Sequence, residues 1–170
     1  MFPTWCDDMA RVRTFLHAQN GTAAAEMALI LPVALALLFV TFDGAYYMLC
    51  EQRVIKGVRN AARYAARLDL SNYACPGGTF SGNATSIQNL ATTGRLTGGS
   101  ATVNGWQNTA VRVSVTCSSG HGGIYEASGG NAPVVRVSTQ VAFPSLMGSM
   151  GFTDQPVFIA AAAESPVVGL

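Results

Sequence analysis

Hydrophobic positions along the chain fall into three regimes. From Met27 to Phe42 sixteen consecutive residues carry no charge, and counting from Ala23 lengthens the run to twenty, interrupted only by Glu26. At about 1.5 Å per residue, twenty helical residues reach roughly 30 Å, the hydrocarbon thickness of a bilayer. The run therefore predicts one membrane-spanning helix. No later apolar stretch is long enough for a second, and Phe158–Ala163 falls far short. Beyond the run the period changes. Val54, Val58, Ala61, Ala65 and Leu68 recur at spacings of three and four, which predicts a helix with one small, Ala-rich apolar face. Arg53, Lys56, Asn60, Arg63 and Arg67 form a basic stripe elsewhere on its surface, suited to acidic lipid headgroups, a partner or plain solvent. In the third regime the period drops to two. Val111, Val113, Val115 and Cys117 alternate with polar residues, as do Val135, Val137, Thr139, Val141 and Phe143, so both segments read as half-buried antiparallel strands. Ala101–Trp106 and Val157–Ala163 are weaker strand candidates.

Turn chemistry places the boundaries. Ser71-Asn72 and Cys75-Pro-Gly-Gly end the long helix near Leu70. Thr85-Ser-Ile-Gln reads as a capping box and Gly94 as a stop, which predicts a short helix over 86–93. The glycine-rich stretch Ser118–Asn131 reads as a long mobile loop. Pro32 lies inside the span, where it frees one carbonyl and favours a kink. The expected fold class is α+β: a long N-terminal transmembrane and stalk α-helix followed by a small antiparallel β-sheet domain. Residues 1–21 form a leader, 22–70 the transmembrane helix continuing as an amphipathic stalk, and 71–170 a strand-rich domain.

Composition narrows the chemistry. Only 11% of residues are charged, against roughly 25% in ordinary globular domains. The net charge is +1, so no global basic field points to nucleic acid. Of the four cysteines, Cys75 and Cys117 both sit in the polar domain; a disulfide between them suits an oxidising compartment, and two buried free thiols are the alternative. There is no CxxC, no Cys/His cluster, no phosphate loop and no nucleophile elbow. After residue 67 the side-chain carboxylates are Asp69, Glu126, Asp154 and Glu164 alone. The expectation is a protein without enzymatic activity, metal or cofactor. His121, alone in Gly120-His-Gly-Gly, reads as an inert loop residue. Trp106 reads as a core residue, with an exposed tip aromatic as the alternative. Tyr46 and Tyr47 suit the aromatic belt of a membrane interface, with Asp43 an interfacial residue.

The most informative stretch is Gly21-Thr22-Ala23-Ala24-Ala25-Glu26. A carboxylate at the edge of an apolar span is costly unless it is paired. Glycine at the junction lets a backbone enter a protease active site without a side chain in the way. The pattern resembles the type IV prepilin processing signal. That resemblance implies cleavage after Gly21 by a prepilin peptidase, with Thr22 as the new N-terminus and Glu26 as the fifth residue. It also implies that Glu26 pairs with the free amine of a neighbouring subunit, two buried charges that compensate only when subunits are in register. More narrowly, residues 17–67 resemble the TadE family of pseudopilins of the tight-adherence (Tad) pilus. The likeness rests on Gly21-Thr-Ala-Ala-Ala-Glu26-Met-Ala-Leu-Ile-Leu-Pro32, on Asp43-Gly-Ala-Tyr-Tyr47 and on Ala61-Ala-Arg-Tyr-Ala-Ala66. Ala25 and Met27 stand where the family usually has valine and phenylalanine, and the last motif is only partly present.

From this resemblance follow a pilin-like head and a helix that assembles with other pilins and pseudopilins through Glu26 and Pro32. The other implied partners are the prepilin peptidase, the pilus assembly platform and the lipid bilayer. The implied function is that of a minor pilin in pilus assembly, adhesion and biofilm formation. The location is a bacterial inner membrane, single-pass, with the C-terminal domain periplasmic or carried into an extracellular pilus. Flanking charge does not decide the orientation, because Arg11 and Arg13 precede the span while Arg53, Lys56 and Arg59 follow it at similar distance. The processing signal and the two domain cysteines favour a cytoplasmic N-terminus. The alternative function is an uncleaved, single-pass, membrane-tethered envelope binding module. In that case Glu26 merely snorkels to the interface and Gly21 is an ordinary helix-start residue.

Overall fold

A computed structural model describes residues 20–149, 151 and 155–169. Nearly all of the expected leader, with Arg11 and Arg13, lies outside the described residues. The chain divides into two compact units with the boundary between Phe42 and Asp43.

Helix α1 runs from Asn20 to Ala65, with Pro32 inside it. In the first unit its residues from Gly21 to Phe42 are all exposed, including every large apolar side chain. In the second unit the same helix becomes one-sided. Cys50, Val54, Val58, Ala61, Ala62 and Ala65 are buried, while Arg53, Lys56, Asn60 and Arg63 stay exposed, as the spacing predicts. The helix ends at Ala65, short of the expected Leu70, because its last turn tightens. Arg67 N–H bonds Tyr64 O at 3.1 Å and Leu68 N–H bonds Ala65 O at 3.1 Å, both to a residue three back. A 3-10 turn over Leu70–Asn72 follows, started by Asp69, whose carboxylate accepts from Ser71 N–H at 2.8 Å. That bond holds the Asp69 carboxyl below its ordinary range.

Beyond the helix come the two-residue strands β1 (Tyr73–Ala74) and β2 (Thr79–Phe80), paired antiparallel. Helix α2 (Ala84–Thr93) follows. The expected capping residue was Thr85; the structure uses Asn83, whose side chain accepts from Ser86 N–H at 3.2 Å, and the helix begins correspondingly earlier. Gly94 ends it in the left-handed conformation at φ 74°, as expected of a C-terminal glycine.

The sheet is a meander of β3 (Val111–Ser118), β4 (Ala132–Ala142) and β5 (Phe158–Pro166), in that order and antiparallel throughout. Its registers pair Val113 with Val137 and Thr139 with Ala161. Alternation works as read: Val135, Val137, Thr139 and Val141 point into the core and Arg136 and Gln140 outward. On the outer face the cross-strand partners Arg136 and Glu164 form an ion pair at 2.6 Å. Between β4 and β5 lies α3, the single turn Leu146–Ser149. Ala101–Trp106 is not a strand. Thr102 N–H is tied back to Thr92 O at 2.8 Å and Gly105 takes φ 79°, so Val103 and Trp106 reach the core from a turn. Nor is 118–131 structureless, since Gly123–Ser128 forms a 3-10 helix held by Gly130 N–H on Tyr125 O.

Candidate functional site

The residues singled out for processing and assembly all lie on α1 within the first unit. Gly21 and Thr22 are both helical, and a Cβ built on Gly21 meets nothing within 4 Å. Glu26 lies four residues after Thr22, on the same helix face, and is exposed. Pro32 cannot donate a backbone hydrogen bond, so the carbonyl of Ala28 lacks its usual partner inside an otherwise continuous helix. From Gly21 to Phe42 the helix covers about 33 Å at ~1.5 Å per residue. Apolar side chains point in every direction, with Leu29 74% exposed and Phe42 61%. A helix apolar all round is built for lipid or for other apolar helices rather than for one packed face. The segment is long and apolar enough to cross a membrane.

In the second unit the buried face of α1 carries small residues at the points of closest approach. Gly57 faces the backbone of α2, where a Cβ would sit 2.2 Å from Ala91 O and 3.0 Å from the Trp106 ring. Trp106 is core, as expected, and its indole N–H donates to Thr139 Oγ1 at 3.0 Å. The end of the helix is fastened from two sides. Tyr73 is buried and its hydroxyl donates to Ala65 O, while Val168 N–H donates to Ala66 O at 2.9 Å. Burial, with a smaller contribution from Tyr64, pushes the Tyr73 phenol up to about 12.

The predicted bridge is present: Cys75 and Cys117 are joined, with Cα atoms 5.8 Å apart. It fastens the segment after β1 to the end of β3. Cys50 is a free, buried thiol in the core. His121 is exposed and shares a hydrogen bond with Ser118 Oγ at 3.0 Å. Among the described residues no three or more His, Cys, Asp or Glu side chains converge as metal ligands.

Sequence reasoning missed the roles of Asp43 and Phe143. The Asp43 carboxylate accepts from Ser145 Oγ at 2.7 Å and from Leu146 N–H at 2.9 Å, so it caps α3 from far away in sequence. Ser145 Oγ in turn accepts from Gly148 N–H at 3.0 Å. Tyr46 and Tyr47, expected at a membrane interface, both lie against Phe143, with ring centroids at 5.7 and 5.2 Å. Pro144-Ser145 was the available signal for a helix cap there, but nothing local points to Asp43.

Neither the curated proteins nor the solved structures yield a match to this chain. Residues 21–63, nearly all of α1, match the family model described as TadE-like protein. The matched stretch is 43 of the 170 residues, and over it the chain is similar to the TadE-like proteins.

Proposed function

We propose that the chain is a pseudopilin cleaved after Gly21 by a prepilin peptidase and acting in the assembly of a Tad pilus. The observation that carries this reading is the family match over residues 21–63, which begins at the same glycine that the processing signal singles out. Helix geometry supports it. Gly21 is helical, and glycine holds a helix weakly because it loses the most backbone freedom there. A peptidase therefore meets less resistance in opening the backbone at the Gly21–Thr22 bond. After cleavage Thr22 supplies an ammonium and Glu26 a carboxylate near one end of an apolar helix. In a helix bundle such charges are tolerated only when each meets its opposite on a neighbour. Glu26 thereby sets the stagger between subunits, and Pro32 leaves a carbonyl for a neighbouring helix or water to satisfy.

Further parts of this reading are a cytoplasmic N-terminus, a periplasmic folded unit and service in adhesion and biofilm formation. The Cys75–Cys117 bridge supports the orientation, because disulfides persist in oxidising compartments. The reading assigns the chain no catalytic role.

Mass spectrometry of the membrane-extracted protein tests it. A mature chain starting at Thr22 is expected in cells with an active prepilin peptidase, and a chain retaining the Gly21–Thr22 bond in cells lacking one. Retention of that bond in both overturns the proposal. The folded unit beyond residue 63 lies outside the family match, which leaves the uncleaved envelope binding module as the second reading. Glu26→Ala separates them: lost pilus assembly with normal membrane insertion supports the first, and unchanged assembly the second.

A further inference from the structure

We propose that the folded unit has a second lipid contact: the edge formed by α3 and the start of β5 sits in the headgroup region of the same bilayer that α1 spans. The inference rests on the membrane-anchor reading of α1. Asp43 is the first residue after the apolar run, so it marks where that helix leaves the hydrocarbon. The loop after β4 is bound to that residue. Asp43 takes hydrogen bonds from Ser145 Oγ and Leu146 N–H, and Phe143, just before them, lies against Tyr46 and Tyr47. Phe143 N–H also bonds Val157 O at 2.7 Å, and Phe158 pairs with Ala142. Residues from two distant parts of the chain are thus held at the height of Asp43.

What this edge presents is apolar. Leu146 is 49% exposed, Val157 51% and Phe158 49%, while Met48 and Leu49 on α1 are 64% and 53%. Among the described residues no charge occurs from Gly44 to Cys50, from Phe143 to Ser149 or from Gln155 to Phe158; Asp154 lies outside them. Charges on α1 resume only at Glu51 and Arg53. From Asp43 to Leu49 the helix rises about 9 Å at ~1.5 Å per residue, comparable with the ~5–8 Å of headgroup region on each side of a bilayer. Aromatic side chains concentrate at that depth, as they do in membrane interfaces. The one carboxylate there has both oxygens occupied, which lowers the cost of holding it near hydrocarbon. Asp43 directly follows the apolar run in sequence, so the groups bonded to it are kept next to the point where the chain leaves the hydrocarbon, and this selects lipid over a protein partner as the occupant.

Nitroxide labels report the depth. In a Cys6→Ser background, with Cys50 buried and the other two cysteines bridged, single labels enter at Leu146→Cys and Phe158→Cys. Reference labels are Val33→Cys within the span and Ile124→Cys, an exposed position on the 3-10 helix that Tyr125 ties to the chain's end at Val167. The full chain is placed in phosphatidylethanolamine/phosphatidylglycerol vesicles at low protein density. Collision with oxygen is then compared with collision with a water-soluble nickel chelate. The expected result is an oxygen preference at positions 146 and 158 several-fold above that at 124 and below that at 33. Values at 146 and 158 equal to that at 124, with 33 strongly oxygen-preferring, overturn the lipid contact and leave the anchor intact. An aqueous signal at 33 overturns the anchor itself. Spin–spin broadening at 146 or 158 puts a second copy on this edge and also overturns the proposal.

Discussion

Replacing Gly57 by alanine adds one methyl group where α1 meets the backbone of α2. On an exposed helix the change is favourable by up to about 1 kcal/mol, because alanine is the better helix former. Here the new Cβ lies 2.2 Å from Ala91 O, 3.2 Å from Ala91 C and 3.0 Å from the Trp106 ring. Carbon and oxygen need roughly 3.3 Å, so α2 has to retreat by about 1 Å. The obstacle is backbone, which cannot rotate aside as a side chain can. Retreat loosens the contacts of Ile87, Ala91 and Trp106, all buried on that side of the core. Overpacking of this kind costs about 1–3 kcal/mol, and the close approach to backbone puts Gly57→Ala at the upper end before the helix-propensity gain is subtracted. The net expectation is a loss of about 1–2 kcal/mol, which for a unit of this size lowers Tm by roughly 3–8 °C. Urea or thermal unfolding of the full chain in detergent, followed by tryptophan fluorescence, measures it. Gly44→Ala on the same helix is the control. Nothing lies within 4 Å of its Cβ, so stability should hold or rise by up to about 1 kcal/mol. Equal effects at the two positions, or a more stable Gly57→Ala, would refute the packing argument.

Two further outcomes follow from the same structure. Replacing Cys75 and Cys117 together by serine frees a loop with a sequence separation of 42; the expected loss is about 2–4 kcal/mol, read as a lower urea midpoint, with little change for reductant to cause thereafter. The raised phenol of Tyr73 makes stability pH-dependent in one window. Its contribution is complete below about pH 10, the ordinary tyrosine value, and is lost as pH rises through about 12. Tyr73→Phe should flatten that alkaline decline and lower stability at neutral pH by about 1 kcal/mol, since Ala65 O loses its donor; unfolding curves at neutral pH and between pH 10 and 12 check both.

The parts of the fold that could be read from the sequence are those fixed by local period. Sixteen uncharged residues admit few structures besides a helix in an apolar environment, and Val135 to Val141 alternate too regularly for anything but a strand. Gly94 was legible because a left-handed residue is the usual way to stop a helix. Other features failed because they depend on partners far away. Ala101–Trp106 has strand-like composition, yet Thr102 is captured by Thr92 and the segment turns. Thr85 and Asn83 both suit a cap, and only the direction of the incoming chain decides between them. Asp43 looks like an ordinary boundary residue until the chain returns with Ser145. Of the candidate site, the glycine, glutamate and apolar run could be located in advance, since they belong to one continuous helix. The small face of α1 could be seen, but not that Gly57 is the position where a second backbone presses in.

The disulfide has a mechanical consequence. A folded unit pulled from its two ends lengthens as its chain is drawn out. Each released residue adds about 3.3–3.6 Å, so closing a separation of 42 residues withholds roughly 140–150 Å of contour length. The withheld stretch includes α2, Trp106 and all of β3 but its last residue. Pulled between α1 and its C-terminal end, the folded unit can therefore surrender β4 and β5 but not the whole of its length. The bridge sets an upper bound on its extension that no hydrogen bond in the sheet could set.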